Sequence, residues 1–206
     1  MTTSALVIMA KAPVPGFAKT RLIPALGEKG AALLAERLLH HTVETCLNTQ
    51  SFSYIEICAT PDRHHTAFKA ISAQQGSRIS FHEQIEGDLG QRMHHTFERL
   101  LQTHSDVVLI GTDAPAITAK TLDQATQALK QNDAVLVPAN DGGYALIGLR
   151  CLIPTLFTDV AWSTNGVMHT TRTRLRHADL SLHEFDSVFD IDEPDDLKHL
   201  PLGWLT

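Results

Sequence analysis

Long apolar runs, basic excess and paired cysteines are all missing from this sequence. No stretch approaches the ~20 consecutive apolar residues that a membrane-spanning helix needs, and the apolar run at residues 5–10 is too short for a signal-peptide core. Acidic residues outnumber lysine and arginine, 23 to 17, which argues against a general nucleic-acid binder because such proteins need a broad basic face. We therefore expect neither a membrane span nor a nucleic-acid partner.

Cysteine usage argues against an oxidised or zinc-binding protein. The three cysteines, Cys46, Cys58 and Cys151, lie far apart and form no Cys-x-x-Cys pair, so they indicate no disulfide framework. A reducing compartment fits best, and we expect a cytoplasmic protein. The twelve histidines include three adjacent pairs, but neighbours on a helix point about 100° apart, which favours surface or half-buried histidines over a zinc site.

Two nucleotide-binding fingerprints are also missing. The chain has neither the Gly-x-x-x-x-Gly-Lys-Ser/Thr loop nor a Gly-x-Gly-x-x-Gly turn. What it has is an ordinary globular composition, 43% hydrophobic and 19% charged, with strand and helix patterns in alternation and no linker or repeat. This predicts one α/β domain over residues 1–206, a mostly parallel sheet flanked by helices. We expect one of those helices to begin at a cap formed by Ser163 or Thr164.

The most strongly patterned strand is at residues 107–110, four apolar residues in a row. Such a run predicts a strand buried on both faces, and Pro115 marks the turn at its carboxyl end. Asp113 therefore lies at the edge of the sheet where α/β proteins bind ligands, and its carboxylate suits a hard divalent cation. The alternative is that Asp113 only caps the turn or the next helix.

A basic loop follows the first predicted strand, at residues 11–22. It carries Lys11, Lys19 and Arg21, and Gly16 allows a ligand to approach the backbone closely. Two point charges and one forked guanidinium suit the oxygens of a diphosphate. The alternative is a solvated loop with incidental charges.

Glycines and an aspartate precede a predicted helix at residues 84–93. Gly87, Asp88 and Gly90 lead into the helix, with Arg92 in its first turn. A helix amino terminus favours an anion or a polar ligand edge. An equally simple interpretation is that Asp88 only caps this helix.

Residues 141–144 separate two further apolar runs. Asp141 and Gly142 predict a hairpin turn, but Gly143 and Tyr144 exceed what a hairpin requires. Because glycines let a substrate lie against the backbone, an acceptor or sugar site is an alternative interpretation.

Two acidic residues near the end of the chain have no local explanation. Asp190 and Asp192 flank Ile191, and in an extended segment this alternation places both carboxylates on one side. The acids that follow Pro194 are explained by the start of a short helix.

Five segments together carry a family resemblance, at residues 11–22, 87–93, 111–115, 141–144 and 190–197. In this order they resemble the rSAM/selenodomain-associated transferases, whose members are often labelled arsenosugar-biosynthesis glycosyltransferases. The resemblance covers nearly the whole chain. It implies the GT-A fold of the nucleotide-diphospho-sugar transferases.

The resemblance also implies roles for the site residues. Asp113 would bind Mg²⁺ or Mn²⁺, with Asp192 or Asp190 as a second ligand. Lys11, Lys19 and Arg21 would hold phosphates. The segment of residues 87–92 would lie near the base or ribose, and residues 141–144 would lie near the transferred or accepting group. These contact residues are Lys11, Gly16, Lys19, Arg21, Gly87, Asp88, Gly90, Arg92, Gly142, Gly143 and Tyr144. We assign catalytic roles to Asp113, Lys19, Arg21 and Asp141, the last as the candidate general base.

Three functions follow from these residues. The first is a Mg²⁺-dependent glycosyltransferase with a nucleotide-sugar donor and a small-molecule acceptor. The second is a guanylyltransferase-like nucleotidyltransferase that transfers a nucleoside monophosphate from a triphosphate to a phosphorylated acceptor. The sequence lacks the Gly-Gly-x-Gly-x-Arg loop common in that class, which argues against the second. A nucleotide-binding regulatory module is the third, and the intact acidic and basic positions argue against it.

Overall fold

A seven-stranded sheet is the centre of the computed structural model, which describes residues 3–204. The strands are β1 (Ser4–Lys11), β2 (Tyr54–Thr60), β3 (Ser80–Glu83), β4 (Asp106–Ile110), β5 (Ala134–Pro138), β6 (Tyr144–Leu149) and β7 (Leu182–Glu184). Their order across the sheet is β3-β2-β1-β4-β6-β5-β7. Only β6 runs antiparallel to its neighbours. The predicted mostly parallel sheet is confirmed.

Five helices flank the sheet: α1 (Ile23–Leu47), α2 (Thr66–Gln75), α3 (Leu89–Leu100), α4 (Ala119–Leu129) and α5 (Val167–His177). Short 3₁₀ turns lie at Thr20–Leu22, Gly76–Arg78, Pro154–Leu156 and Pro194–His199. α1 has one break, at Gly27, where φ is 71° and ψ is 166°. Between residues 3 and 204, no helix combines the length and apolar character needed to cross a membrane.

The core has two layers because alternate residues of each buried strand point to opposite faces of the sheet. On one face Leu6 and Ile8 of β1 pack in a cluster that contains Phe68 of α2. On the other face Val7 packs in a cluster that contains Phe97 of α3. With both faces covered, ligands reach the sheet only at its edges.

The turn at residues 141–143 is a hairpin turn, as predicted, because β5 and β6 pair antiparallel on either side of it. β6 also pairs with β4, and Ile110 lies opposite Leu146. Since β6 runs in the reverse direction, its first residues lie beside the carboxyl end of β4. This pairing places Asp141 and Asp113 at the same edge of the sheet.

One predicted helix start is wrong. α5 begins at Val167 with Gly166 as its N-cap, and neither Ser163 nor Thr164 caps it. Ser163 has a φ of 61°, a left-handed conformation that interrupts a helix. The hydroxyl of Thr164 donates to a carbonyl oxygen earlier in the same loop, 2.7 Å away. The chain therefore forms an irregular loop before α5 rather than a capped first turn.

Candidate active site

Lys19 is at the centre of the site. Its Nζ lies 2.6 Å from Oδ1 of Asp113, 2.5 Å from the backbone oxygen of Ile191 and 3.6 Å from Oδ1 of Asp192. The Lys19 side chain is only 7% exposed. We call these three oxygens the oxygen cage. A single ammonium therefore holds together three oxygens from two distant parts of the sequence.

The backbone of Lys19 is strained. Its φ of 48° and ψ of 47° are left-handed, a conformation that costs a residue other than glycine about 1 to 2 kcal/mol. Strain of this kind persists where surrounding contacts fix it, and it is common at functional sites. The contacts of the ammonium supply that constraint here.

Asp113 and Ile191 bring the two halves of the cage together. Asp113 follows β4, and its backbone oxygen accepts a hydrogen bond from the Ile191 amide at 2.8 Å. The Ile191 side chain is fully buried in a small cluster with Leu22 and Leu38. The two flanking aspartates are more exposed than Ile191. The C-terminal segment is thus anchored across the end of β4.

The carboxylates of the cage keep surfaces open to solvent. The side chains of Asp113 and Asp192 are 48% and 37% exposed. The alternative role of Asp113 as a helix cap is wrong, because Thr118 caps α4 by accepting from the amide of Thr121 at 3.2 Å. Asp113 is therefore free to serve the site.

Arg21 and Lys11, the other two predicted phosphate-binding cations, lie on the solvent side of the site. Arg21 NH1 is 2.7 Å from Oδ2 of Asp192 and 3.5 Å from Oε1 of Glu193, and its side chain is 56% exposed. Lys11, at the end of β1, donates from Nζ to the backbone oxygen of Phe17 at 2.6 Å. Both cations face solvent and can turn to an anion without breaking a buried contact.

The first loop uses its own backbone amides. Val14 donates to the oxygen of Ala12 at 2.9 Å, and Phe17 and Ala18 both donate to the oxygen of Val14, at 3.0 and 2.9 Å. The two prolines of this loop have no amide hydrogen. Gly16 has a φ of 79°, which allows the loop to turn. Five positions of this loop therefore offer no amide to a ligand, three because the amide is used within the loop and two because they are prolines.

The segment before α3 has a clear structural role. Asp88 Oδ1 accepts from the amide of Gln91 at 2.8 Å, while Gln91 Oε1 accepts from the amide of Asp88 at 2.9 Å. This reciprocal capping confirms Asp88 as the cap of α3. Arg92 NH1 donates to Gln84 Oε1 at 3.4 Å, and Gln84 Nε2 donates to the oxygen of Cys58 at 2.7 Å. That residues 87–92 contact a base or ribose stays a prediction.

Gly90 lies against an aromatic wall formed by Trp162 and Phe157. A Cβ at Gly90 would be 2.5 Å from both Trp162 Nε1 and the backbone oxygen of Phe157. The Trp162 ring meets Tyr144 edge-on at 6.5 Å, and the Tyr144 hydroxyl donates to Met93 Sδ at 3.9 Å. Burial raises the pKa of Tyr144. Gly90 is thus required by packing.

The hairpin turn packs against the start of α5. Gly142 has a φ of 94°, and a Cβ there would be 2.5 Å from the backbone oxygen of Asn165. The amide of Met168 donates to the oxygen of Gly142 at 2.9 Å, and Asp141 Oδ1 accepts from the amide of Gly143 at 2.7 Å. This turn is held tightly, which fixes the position of the Asp141 carboxylate.

Asp190 lies in a different electrostatic environment from Asp192. Burial, followed by the negative charge of Asp141, raises the pKa of Asp190 to about 6. Of the two predicted second metal ligands, Asp192 is the one that contacts Lys19.

Sequence reasoning missed the backbone oxygen of Ile191, because a carbonyl carries no side-chain signature. It also missed a group of exposed side chains at the carboxyl ends of β2 and β3, in which Asp62, His64 and Glu83 place ligand atoms within 4.8 Å of one another. Asp62 Oδ1 already accepts from the amide of His64 at 2.7 Å, as in an ordinary turn. We assign no role to this group.

The chain is similar to one protein family, to a curated protein and to several solved structures. A family model described as "uncharacterized protein conserved in bacteria (DUF2064)" matches residues 42–164. A 3-phospho-D-glycerate guanylyltransferase from Phenylobacterium zucineum (strain HLK1) is 31% identical over 102 residues. That match covers 48% of this chain and 46% of the relative, so it spans less than half the length of this curated relative.

Solved structures support the fold over nearly the whole chain. A Desulfovibrio desulfuricans G20 protein, described provisionally as a nucleotide-diphospho-sugar transferase, has a TM-score of 0.87 at 30% identity and covers 96% of this chain and 85% of its own. The 4-diphosphocytidyl-2C-methyl-D-erythritol synthase of Anaerococcus prevotii DSM 20548 has a TM-score of 0.66 at 12% identity, with coverages of 96% and 94%. The chain therefore has the nucleotide-diphospho-sugar transferase fold.

Proposed function

This chain belongs to the DUF2064 family, and we propose that it is a glycosyltransferase that takes a nucleoside diphospho-sugar as donor, a small molecule as acceptor and a divalent cation as cofactor. The proposal concerns the donor, the cation and the residues that bind them. It goes beyond the transferase fold, which glycosyl and nucleotidyl transferases share.

The hydrogen bonding of the first loop carries this proposal. A loop that wraps a triphosphate offers several backbone amides at once. Here Val14, Phe17 and Ala18 donate within the loop, and two prolines have no amide to offer. Phosphate binding then depends on the side chains of Lys11, Lys19 and Arg21. We infer that such a loop suits a diphosphate better than a triphosphate.

The oxygen cage fits a hard divalent cation. Mg²⁺ and Mn²⁺ prefer carboxylate and carbonyl oxygens, and the ammonium of Lys19 already stands in for a cation among three such oxygens. We propose that Asp113 and Asp192 would hold the cation. When bound, it stabilises the negative charge that develops on the departing diphosphate.

The chain's own residues supply binding and orientation. Lys11 and Arg21, both on the solvent side, would donate to phosphate oxygens, and each well-placed donor of this kind contributes about 3 kcal/mol to transition-state stabilisation. The segment of residues 87–92 would contact the base or ribose. Gly142, Gly143 and Tyr144 would border the transferred group. Asp141 is the proposed general base, because the tight turn around it fixes a carboxylate near the carboxyl end of β4.

Nucleotidyl transfer is the second candidate, and one observation favours it. The curated relative at 31% identity is a guanylyltransferase, and its name specifies a phosphorylated acceptor. An anionic phosphate can attack the α-phosphorus of a nucleoside triphosphate without a general base, so this chemistry would not need Asp141. The narrower assignment to arsenosugar biosynthesis that the motifs suggest stays a prediction.

Product analysis tests the proposal. The protein is incubated with Mg²⁺ and a panel of nucleoside diphospho-sugars and triphosphates, each with hydroxylated and phosphorylated small acceptors. We expect release of nucleoside diphosphate from a sugar donor, and no release by the Asp113→Asn variant, which controls for contaminating enzymes. Stoichiometric pyrophosphate from a triphosphate, with no nucleoside diphosphate from any sugar donor, would establish the second candidate instead.

A further inference from the structure

The ammonium of Lys19 lies where a divalent cation would bind. Its Nζ is 2.6 Å from Asp113 Oδ1 and 2.5 Å from the Ile191 oxygen, with Asp192 Oδ1 at 3.6 Å. A divalent cation bound to the same oxygens would be within a few ångströms of this positive charge, and such a contact is strongly repulsive. The ammonium and the divalent cation therefore exclude each other.

We propose that Lys19 is a displaceable internal cation. Its ammonium fills the oxygen cage in the ligand-free protein, a divalent cation replaces it there, and the released ammonium binds the diphosphate of the donor. This inference rests on the proposed function for the identity of the anion. The competition between ammonium and metal stands on the geometry of the cage alone.

The cage requires a positive charge even without a ligand. Asp113 and Asp192 come from distant parts of the sequence, and the hydrogen bond from the Ile191 amide to the Asp113 backbone oxygen, 2.8 Å long, draws their segments together. Two carboxylates and a carbonyl oxygen that converge without a cation would repel one another. Lys19 removes this repulsion, and it thereby keeps the C-terminal segment in place before a ligand arrives.

Three features make this lysine able to leave. The carboxylates of the cage are 48% and 37% exposed, so a hydrated cation can reach them from solvent. The left-handed backbone of Lys19 is strained, and its ammonium contacts help to fix that conformation. A lysine has a long flexible stem and a compact charge, which allows its ammonium to move from the cage to a nearby anion.

The exchange couples the two ligands of the site. A divalent cation that binds alone must displace the ammonium and leave it without a partner. A diphosphate that binds next to the cation gives the ammonium a new partner, so each ligand strengthens the binding of the other. The protein would then bind the cation weakly by itself and tightly together with its donor. Little cation would therefore be bound when the donor is absent.

Binding of Mn²⁺ alone, followed by electron paramagnetic resonance, tests the exchange. We compare the wild type with Lys19→Met, which keeps an unbranched side chain one atom shorter than lysine and removes its charge. Lys29→Met, an exposed lysine on α1, is the matched control for the loss of one charge. We expect Lys19→Met to bind Mn²⁺ about tenfold more tightly than the wild type. Lys29→Met should bind like the wild type.

A double variant tests whether the added Mn²⁺ affinity arises at the oxygen cage. Addition of Asp113→Asn to Lys19→Met should abolish the added affinity, because it removes a cage ligand. Equal or weaker Mn²⁺ binding by folded Lys19→Met would overturn the proposal. So would a gain that survives Asp113→Asn, since the new site would then lie elsewhere.

A measurement on the wild type does not depend on the folding of a variant. Amine-reactive labelling, read by mass spectrometry, is performed with and without saturating Mg²⁺. We expect labelling of Lys19, now 7% exposed, to rise about tenfold with Mg²⁺ while Lys29 stays constant. Unchanged or reduced labelling of Lys19 would contradict the exchange.

These readouts are separable from the proposed function. If Lys19→Met gains Mn²⁺ affinity and no nucleoside diphosphate is ever released from a sugar donor, the exchange stands and the glycosyltransferase assignment fails. If release is observed and Lys19→Met gains no affinity, the assignment stands and the exchange fails.

Discussion

Two ion pairs of this protein have opposite arrangements. In the first, Glu56 of β2 is 1% exposed and pairs with Arg99 of α3, while its other carboxylate oxygen accepts from the Tyr54 hydroxyl at 2.8 Å. In the second, the cation is buried and the carboxylate of Asp113 is 48% exposed. The first pair has a buried, fully partnered anion, and the second has a buried cation with open anions.

This difference separates a structural pair from a binding site. A buried carboxylate whose oxygens are both filled by protein groups has no surface to offer a ligand, and it holds α3 on the sheet. An open carboxylate next to a buried ammonium presents unused oxygen surface to solvent. Only the second arrangement can take up a cation without unfolding the protein. The following predictions test this division.

The largest effect should come from Arg99→Leu. This change leaves the Glu56 carboxylate buried without its partner, and breaking a buried pair in this way costs about 3 to 5 kcal/mol. We expect that loss in the free energy of unfolding, measured by urea denaturation. Arg21→Leu removes an arginine that is 56% exposed and should change stability by less than about 1 kcal/mol. Similar losses of unfolding free energy in both variants would show that the two ion pairs do not differ in their structural role.

The Arg21→Ala variant should affect ligand binding instead. A charge-assisted hydrogen bond contributes about 1.5 to 3 kcal/mol, so we expect a diphosphate-containing ligand to lose that much affinity and the free nucleoside almost none. Lys19→Ala should have the same selectivity for ligands that carry the diphosphate. Calorimetry with the nucleoside and its diphosphate measures the difference, with Lys29→Ala as the control. Equal losses for both ligands would mark the first loop as structural.

Replacement of Tyr54 by phenylalanine tests whether the pair of Glu56 and Arg99 contributes to stability alone. The change leaves one oxygen of the buried Glu56 without its donor, which costs about 1 to 3 kcal/mol of stability. Thermal unfolding should show a lower midpoint, while the affinity for a diphosphate ligand stays constant. A loss of ligand affinity without a loss of stability would connect this pair to the site.

The smallest effect concerns the pH dependence of stability. Burial and then the charge of Arg99 lower the pKa of His82 below its ordinary value of 6.5. Just below pH 6.5 the unfolded chain therefore binds more protons, so this group makes stability fall as the pH falls, until the pKa of the folded state is passed.

His82→Gln should weaken that dependence. Urea denaturation above and below pH 6.5 measures it, and His169→Gln, an exposed histidine on α5, should behave like the wild type. If His82→Gln loses stability with acidification as steeply as the wild type does, another group is responsible.

Strong local patterns made most of the fold predictable. The run at residues 107–110 predicted β4 because four apolar residues with two neighbouring turn signals leave little alternative. The Asp141-Gly142 turn predicted the hairpin. The insertion of β6 between β4 and β5 was not predictable, since strand order depends on distant pairing rather than on local sequence. The cap at Ser163 or Thr164 was wrong because left-handed turns before α5 leave no trace in residue type.

The site was predictable as a set of side chains and not as a geometry. The charges of Lys19, Asp113 and Asp192 identified them as candidates, and the sheet edge explained why Asp113 lies near a ligand. That the ammonium of Lys19 would lie between the two carboxylates depends on the C-terminal segment crossing β4. That crossing is set by burial of Ile191, whose contribution only the folded chain reveals.

The Mg²⁺ dependence of nucleoside diphosphate affinity in Asp113→Asn tests the central claim most directly. Calorimetry is performed with the nucleoside diphosphate that binds best, with and without Mg²⁺, on the wild type and on a folded variant verified by circular dichroism. The open carboxylates predict that Mg²⁺ strengthens binding to the wild type and has no effect on Asp113→Asn. An equal Mg²⁺ effect in both proteins would contradict the account, because the cation would then bind without Asp113.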